Sequence, residues 1–114
     1  MAILSFSFTQ EEFLSGNKTV TRRDWADSYH AMWESMWERN RLIHDAYDNI
    51  PRAGGKKIGE IKLIAKPYKE RLADMPLEDL TAEGGMCSTR EEFIKLIGKN
   101  PDDVVSVIRF VKIG

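Results

Sequence analysis

The sequence predicts an α+β domain built on a mostly antiparallel sheet or small barrel, flanked by short helices. Two patterns predict it. Segments that alternate apolar and polar residues outnumber the helical segments that could cross over between parallel strands. The helical segments are also short and end at glycines, so they can cover a sheet but cannot make a bundle. A length of 114 residues suits one domain and is too short for two good cores.

Each element follows from its own residues. In "AILSFSF", Leu4, Phe6 and Phe8 point one way and Ile3, Ser5 and Ser7 the other, the pattern of a half-buried strand. "TQEEF" starts a helix: Thr9 can cap it, Glu12 completes a capping box, and Phe8 with Phe13 makes a hydrophobic staple. Gly16 suits a left-handed stop, after which "KTVTRR" re-extends because β-branched residues favour strand. "DSYHAMWESMWERN" carries Tyr29, Met32, Trp33, Met36 and Trp37 at i, i+3, i+4, i+7 and i+8, one apolar helical stripe. The stripe implies core packing or a helix docked over the barrel, with a lid over a cleft as the alternative. "RLIHDAYDNIP" predicts a strand ending near Pro51, and a continuing helix is its alternative. "RAGGKK" is a turn, and "IGEIKLIA" is an alternating strand stopped by Pro67. "MPLEDLTAEGG" permits a short helix, with Pro76 near its start and Gly84-Gly85 at its end. "STREEFIKLIG" is a clearer one, capped by Ser88 and Glu91, buried through Phe93, Leu96 and Ile97, and stopped by Gly98. "DVVSVIRFVKI" is the closing strand, and no repeat, low-complexity tract or linker interrupts the chain.

Composition narrows the function classes. Hydrophobic residues make up 42% of the chain, which supports a real core and argues against wholesale disorder. Net charge is -1, from 17 basic and 18 acidic side chains, so the chain does not coat nucleic acid by bulk charge. A polyanion has to meet a local patch, and "KTVTRR" and "RAGGKK" are the two candidates. "RAGGKK" lacks the pattern and following helix of a phosphate-binding P-loop and reads first as an exposed hairpin loop. One cysteine, Cys87, excludes an intramolecular disulfide. No signal-peptide pattern or membrane-length apolar run is present, so a soluble cytoplasmic protein without a membrane partner is the default expectation. His30 and His44 have no ligand-spaced partners, so neither a metal nor another cofactor is expected.

One motif is specific enough to name a family. "GNKTVTRR" fits G-x-K-x-x-x-x-R through Gly16, Lys18 and Arg23, and it follows a strand and short helix. The chain thereby resembles the ASCH domains. "DAYDNIPRAGGKKIGEIKL" is similar to the family's central hairpin, and "AEGGMCSTREEFIKLIG" to its acidic-glycine turn and following helix. The resemblance spans nearly the whole chain, 1–114, as a single domain. It is poorest over Asp27–Arg41, which resembles a helical insertion. The resemblance implies a PUA-like fold, a small β-barrel flanked by helices, and a role in binding RNA or a modified nucleoside. Some small bacterial members are amidohydrolases that remove acetyl from N4-acetylcytidine with a lysine, a threonine three residues on and a distant glutamate. Those places fall here to Lys18, Thr21 and Glu83. The sequence departs from them in carrying Arg22 where they have an aliphatic residue, in the glycine pair after Glu83, and in the insertion. A non-catalytic RNA-binding module and a ribonuclease are the alternative functions.

The chemistry can be stated from the residue types. Cleaving an acyl amide needs a nucleophile, a proton acceptor and charge stabilisation. Thr21 offers a hydroxyl, and a neutral Lys18 could accept its proton. In a regular strand residues three apart face opposite sides, so the two converge only where the backbone bends. Burial and neighbouring cations favour neutral lysine, and Arg22 and Arg23 could supply the cations. Glu83 could shuttle a proton or hold Lys18, although a close carboxylate favours the charged amine. Arg22 and Arg23 are candidate substrate or RNA contacts, and for Arg22 a solvated cation is the alternative. Arg23 could pair with a phosphate through two hydrogen bonds. Trp25 or Tyr47 could stack on a base, a contact worth about 1–3 kcal/mol, though Trp25 reads first as a packing residue.

Overall fold

A computed structural model describes residues 2–7 and 9–114. The proposed Phe8–Phe13 staple lies outside the described residues. The chain runs β1 (Ile3–Ser5), α1 (Gln10–Leu14), β2 (Val20–Arg23), α2 (Asp27–Glu38), β3 (Ile43–Tyr47), β4 (Lys57–Leu63), β5 (Tyr68–Arg71), α3 (Asp79–Ala82), α4 (Arg90–Leu96) and β6 (Val104–Lys112). Single 3-10 turns at Pro51–Ala53 and Leu72–Asp74 complete it. The fold is α+β: one curled mixed sheet makes a half-barrel flanked by short helices. The sheet order is β1-β3-β4-β6-β2, with β5 also on β6. Among the described residues only β1 and β3 pair in parallel; the other pairings are antiparallel.

The long strand β6 organises both cores. Its residues Val105 to Ile108 are all buried, the mark of a strand covered on both faces. Ile108 and Phe110 look into the barrel, where they meet Leu4, Phe6, Phe13, Ala46, Ile61, Leu63 and Trp33. Phe6 stacks on Phe13 at 4.6 Å between ring centres, and Phe110 tilts against both. Val105 looks outward into a second cluster with Leu72, Met75, Leu80, Phe93 and Ile94, under α3 and α4.

Several local expectations are corrected. The segment around Ile43 is a strand, which removes the helical alternative. The buried face of α2 is rotated from the predicted stripe. His30 and Trp33 are buried and Met36 and Trp37 pack partly against the core, while Tyr29 and Met32 are exposed. His30 can go inside because its Nδ1 lies 2.7 Å from Ser106 Oγ, which satisfies a ring that hydrophobicity alone would leave outside. The helix thus docks on the barrel through Trp33. In α4 the cap is one residue later than predicted: Thr89 Oγ1 accepts from the Glu92 amide at 3.1 Å, and Glu92 Oε1 accepts from the Ser88 amide at 3.2 Å. The buried face shifts with it, to Phe93 and Ile94, and leaves Leu96 and Ile97 exposed. Thr9 precedes α1 but its side chain makes no cap bond. Strand β5, "YKER", has no apolar alternation and escaped prediction altogether. No helix among the described residues is long and apolar enough to cross a membrane.

Candidate functional site

The site is built where the turn before β2 meets the end of α3. Gly16 sits at φ +82°, the left-handed stop that frees the chain from α1. The Lys18 amide then donates to Glu12 O at 3.0 Å and the Thr19 amide to Ala82 O at 2.8 Å, clamping the turn to α3. This brings Lys18 Nζ onto Glu83, which accepts twice: through its backbone carbonyl at 2.7 Å and through Oε1 at 2.9 Å. The glycine pair explains why that carbonyl is open. Gly84 and Gly85 have φ of +133° and +75°, and their amides return to Thr81 and Leu80, so the chain turns away from Glu83 O. A side chain at Gly84 would also press on Glu12, whose Cγ lies 3.3 Å from where a Cβ would stand.

Glu83 has a second cation. Arg22 Nη1 donates to its Oε2 at 2.9 Å. The same guanidinium reaches Asp79 Oδ2 through Nη2 at 2.6 Å and Glu70 Oε1 through Nε at 2.9 Å. Arg109 closes the network, donating to both Asp79 oxygens and to the Tyr68 hydroxyl. The sheet register places these residues together. Arg22 pairs with Val107 and Val20 with Arg109 across β2 and β6, while Tyr68 and Glu70 of β5 stand on that same outer face. Asp79 and Glu83, four apart, present both carboxylates from α3. Arg22 is therefore neither a solvated cation nor a surface contact for RNA: its side chain is fully buried and each of its nitrogens already meets a carboxylate.

Thr21 and Arg23 occupy the other face of β2, toward the barrel interior, opposite Ile108 and Ser106. Thr21 Oγ1 accepts from Arg23 Nε at 3.0 Å, and Arg23 Nη2 donates to Ser5 O at 2.7 Å. The Arg23 guanidinium lies over the Phe6 ring, 5.5 Å from its centre. No carboxylate among the described residues is within ion-pair distance of Arg23. The structure thus joins Lys18 to Glu83, and Thr21 to Arg23. No hydrogen bond links Thr21 to Lys18. All three candidate catalytic side chains are deeply buried, with Lys18, Thr21 and Glu83 each 3% exposed.

The electrostatics follow from this packing. Burial lowers the Lys18 pKa; the charge and hydrogen bond of Glu83 oppose it, and Arg23 and Arg22 add to the lowering. The net direction is down despite the contact with Glu83, because the desolvation of a buried ammonium outweighs one carboxylate that Arg22 also holds. Burial also pushes Arg23 down, against Glu83 and Tyr29. Burial would raise Asp79, but its bonds to Arg109 and Arg22 prevail and hold it below the usual carboxylate range. Arg22 is resistant to deprotonation, since bonds to Glu70, Asp79 and Glu83 overcome its burial.

The remaining predicted contacts separate. Trp25 is a packing residue: it stacks on Trp33 at 5.2 Å and meets Tyr29 edge-on at 4.8 Å. Tyr47 lies half-buried on β3, on the face opposite His44 and Ala46, with no hydrogen bond to the Lys18 cluster. Sequence reasoning missed Glu70, Asp79 and Arg109; the four-residue spacing of Asp79 and Glu83 was the one available signal. It also missed the His30–Ser106 pair, whose Nε2 side faces Glu34 at 3.7 Å. Among the described residues no group of three or more His, Cys, Asp or Glu is arranged to hold a metal ion. Comparison with models of protein families, with curated proteins and with solved structures finds no match to this chain.

Proposed function

We propose that the chain is an ASCH-type domain of PUA-like fold that binds a modified nucleoside and hydrolyses the amide of an N4-acylated cytidine. The observation that carries this reading is the buried Lys18 amine bonded twice to Glu83. A neutral amine has two N–H groups and one lone pair. Glu83 O and Oε1 take the two N–H groups, so the lone pair is left for an incoming proton. A lysine of lowered pKa held in this way is a competent general base.

In the mechanism the Thr21 oxygen attacks the acyl carbon as Lys18 takes its proton, and Arg23 stabilises the charge that develops on the carbonyl oxygen. Collapse breaks the C–N bond, and Lys18 returns the proton to the departing cytidine amine. Water then hydrolyses the threonyl ester through Lys18, releasing the carboxylic acid. A second reading has water attack the amide directly, with Thr21 and Arg23 holding the carbonyl. It is favoured by the Thr21 hydroxyl being engaged by Arg23 rather than by Lys18. A third reading, a non-catalytic RNA-binding module, draws on Arg39, Arg41 and Lys62, which have no carboxylate partner among the described residues. The latter two line a concavity of about 450 Å³.

The test is acetate release from N4-acetylcytidine by purified protein. The expected result is turnover that Lys18→Met abolishes while the circular dichroism spectrum is kept. Activity retained in Thr21→Ala selects the water mechanism. An inert wild type that binds RNA with a steep salt dependence replaces the enzyme by the binding module.

A further inference from the structure

Arg22 is the residue at which the chain departs from the amidohydrolases it resembles, and the structure gives that departure a physical role. Five charged side chains form one hydrogen-bonded cluster with Lys18: Arg22 on β2, Arg109 on β6, Glu70 on β5, and Asp79 and Glu83 at α3, while Arg23 stands on the other face of β2. The guanidinium groups number two and the carboxylates three, so the set carries one net negative charge before Lys18 is counted. A charged Lys18 would balance it, and without Arg22 the same lysine would face a stronger net negative charge. The other ionisable groups on this side are the Tyr68 hydroxyl, which Arg109 holds, and Glu12, whose stem packs against Gly84 and whose side chain reaches the surface.

The division of Glu83 is the decisive feature. One carboxylate oxygen faces Lys18 and the other faces Arg22, each at 2.9 Å. An aliphatic residue at position 22 would leave the whole carboxylate charge to the lysine. We propose that Arg22 is a positioning residue: by holding Glu83 Oε2 it weakens that carboxylate's claim on Lys18 and makes the amine easier to deprotonate. Its hold on Asp79 and Glu70 fixes the guanidinium so that it cannot swing away, and Arg109 shares Asp79 so that Arg22 is not neutralised by that carboxylate alone. Arg22 touches no reacting atom and acts through Glu83. This role rests on the reading of Lys18 as the proton acceptor.

The experiment follows the protonation of Lys18 directly, by the Cε shift of ¹³C-lysine-labelled protein against pH, with Lys18→Met assigning the signal. Removing the Arg22 charge removes repulsion at Lys18 and leaves Glu83 to it alone. The expected result is a Lys18 midpoint that moves up in Arg22→Met and stays near the wild-type position in Arg22→Lys. If Arg22→Met does not fold, Arg22→Gln keeps an N–H for Glu83, drops only the charge, and is measured in a stabilising osmolyte. A midpoint that stays or falls on loss of the charge overturns the proposal and leaves Arg22 a structural ion-pair residue. The titration needs no substrate, so it stands apart from the activity. A midpoint that rises in a protein without hydrolytic activity defeats the amidohydrolase reading and keeps the electrostatic role. In an active protein, the acidic limb of the pH–rate profile should move up with the midpoint.

Discussion

At the scale of single residues, the buried charges make stability rise with pH in two separate windows. The folded Lys18 pKa lies below the ordinary 10.5. Between those two values the unfolded chain holds the extra proton, so stability rises with pH through that window. The penalty for burying the ammonium is fully present below the folded value and is gone above the unfolded one. Denaturant unfolding from neutral to alkaline pH should therefore show a rise in the wild type that is missing from Lys18→Met; parallel curves would show an amine of ordinary proton affinity. Asp79 acts in the same sense, in the acid range. Its folded pKa is depressed below 3.8, so its contribution is present above that value and is lost as pH falls through the folded one. Asp79→Asn takes one carboxylate from Arg22, which keeps Glu70 and Glu83, and from Arg109, which keeps Tyr68; the loss of charged hydrogen bonds should cost about 1.5–3 kcal/mol at neutral pH and flatten the acid limb of the stability curve. The sequence made part of this legible. The spacing of Lys18 and Thr21, with the glutamate before a glycine pair, pointed at residues of which two do meet. It concealed the rest because an ion network is assembled from side chains far apart in the chain. Arg22 and Glu83 are 61 positions apart and look like surface charges when taken singly.

At the scale of elements, the two shifted helices make the sharpest tests. Trp33 is fully buried in the barrel core, whereas Tyr29 and Met32 on the predicted stripe are exposed. Trp33→Ala should cost about 3–5 kcal/mol, and Tyr29→Ala or Met32→Ala about 0.5 kcal/mol or less. Equal losses at all three positions in thermal or denaturant melts would restore the original stripe. For α4, Thr89→Ala should cost about 1 kcal/mol and Ser88→Ala far less, because only the threonine hydroxyl accepts a first-turn amide. Alternation and caps located most elements, since both are local signals. They missed the face of α2 because its orientation is decided by Ser106, a hydroxyl on a strand 76 residues away. They missed β5 because its own residues are polar: Tyr68 and Glu70 serve the charged network instead of a hydrophobic core.

At the scale of the whole molecule, the sheet is left open between its two outer strands. Local pattern cannot state which strands are neighbours, so neither the parallel pairing of β1 with β3 nor the place of β6 among β4, β5 and β2 could be read beforehand. The opening matters because β1 and β2 are joined by a side chain where a backbone ladder would otherwise run. Arg23 reaches from β2 to Ser5 O on β1 and lies over Phe6, while its Nε steadies Thr21. One residue thus closes the barrel wall and faces the candidate site. Arg23→Met keeps an apolar stem over Phe6 and removes the bridge. A hydrogen bond to a charged group contributes about 1.5–3 kcal/mol, so opening of the wall should become roughly ten- to a hundredfold more frequent. Hydrogen exchange reads this at the Phe6 amide, which is bonded to Tyr47 O, against the Leu63 amide, which is bonded to Leu42 O deeper in the sheet. Faster exchange at Phe6 with Leu63 unchanged is the expected result. Equal acceleration at both would mean that Arg23 supports the fold globally, and no change at either would mean that the wall closes without it.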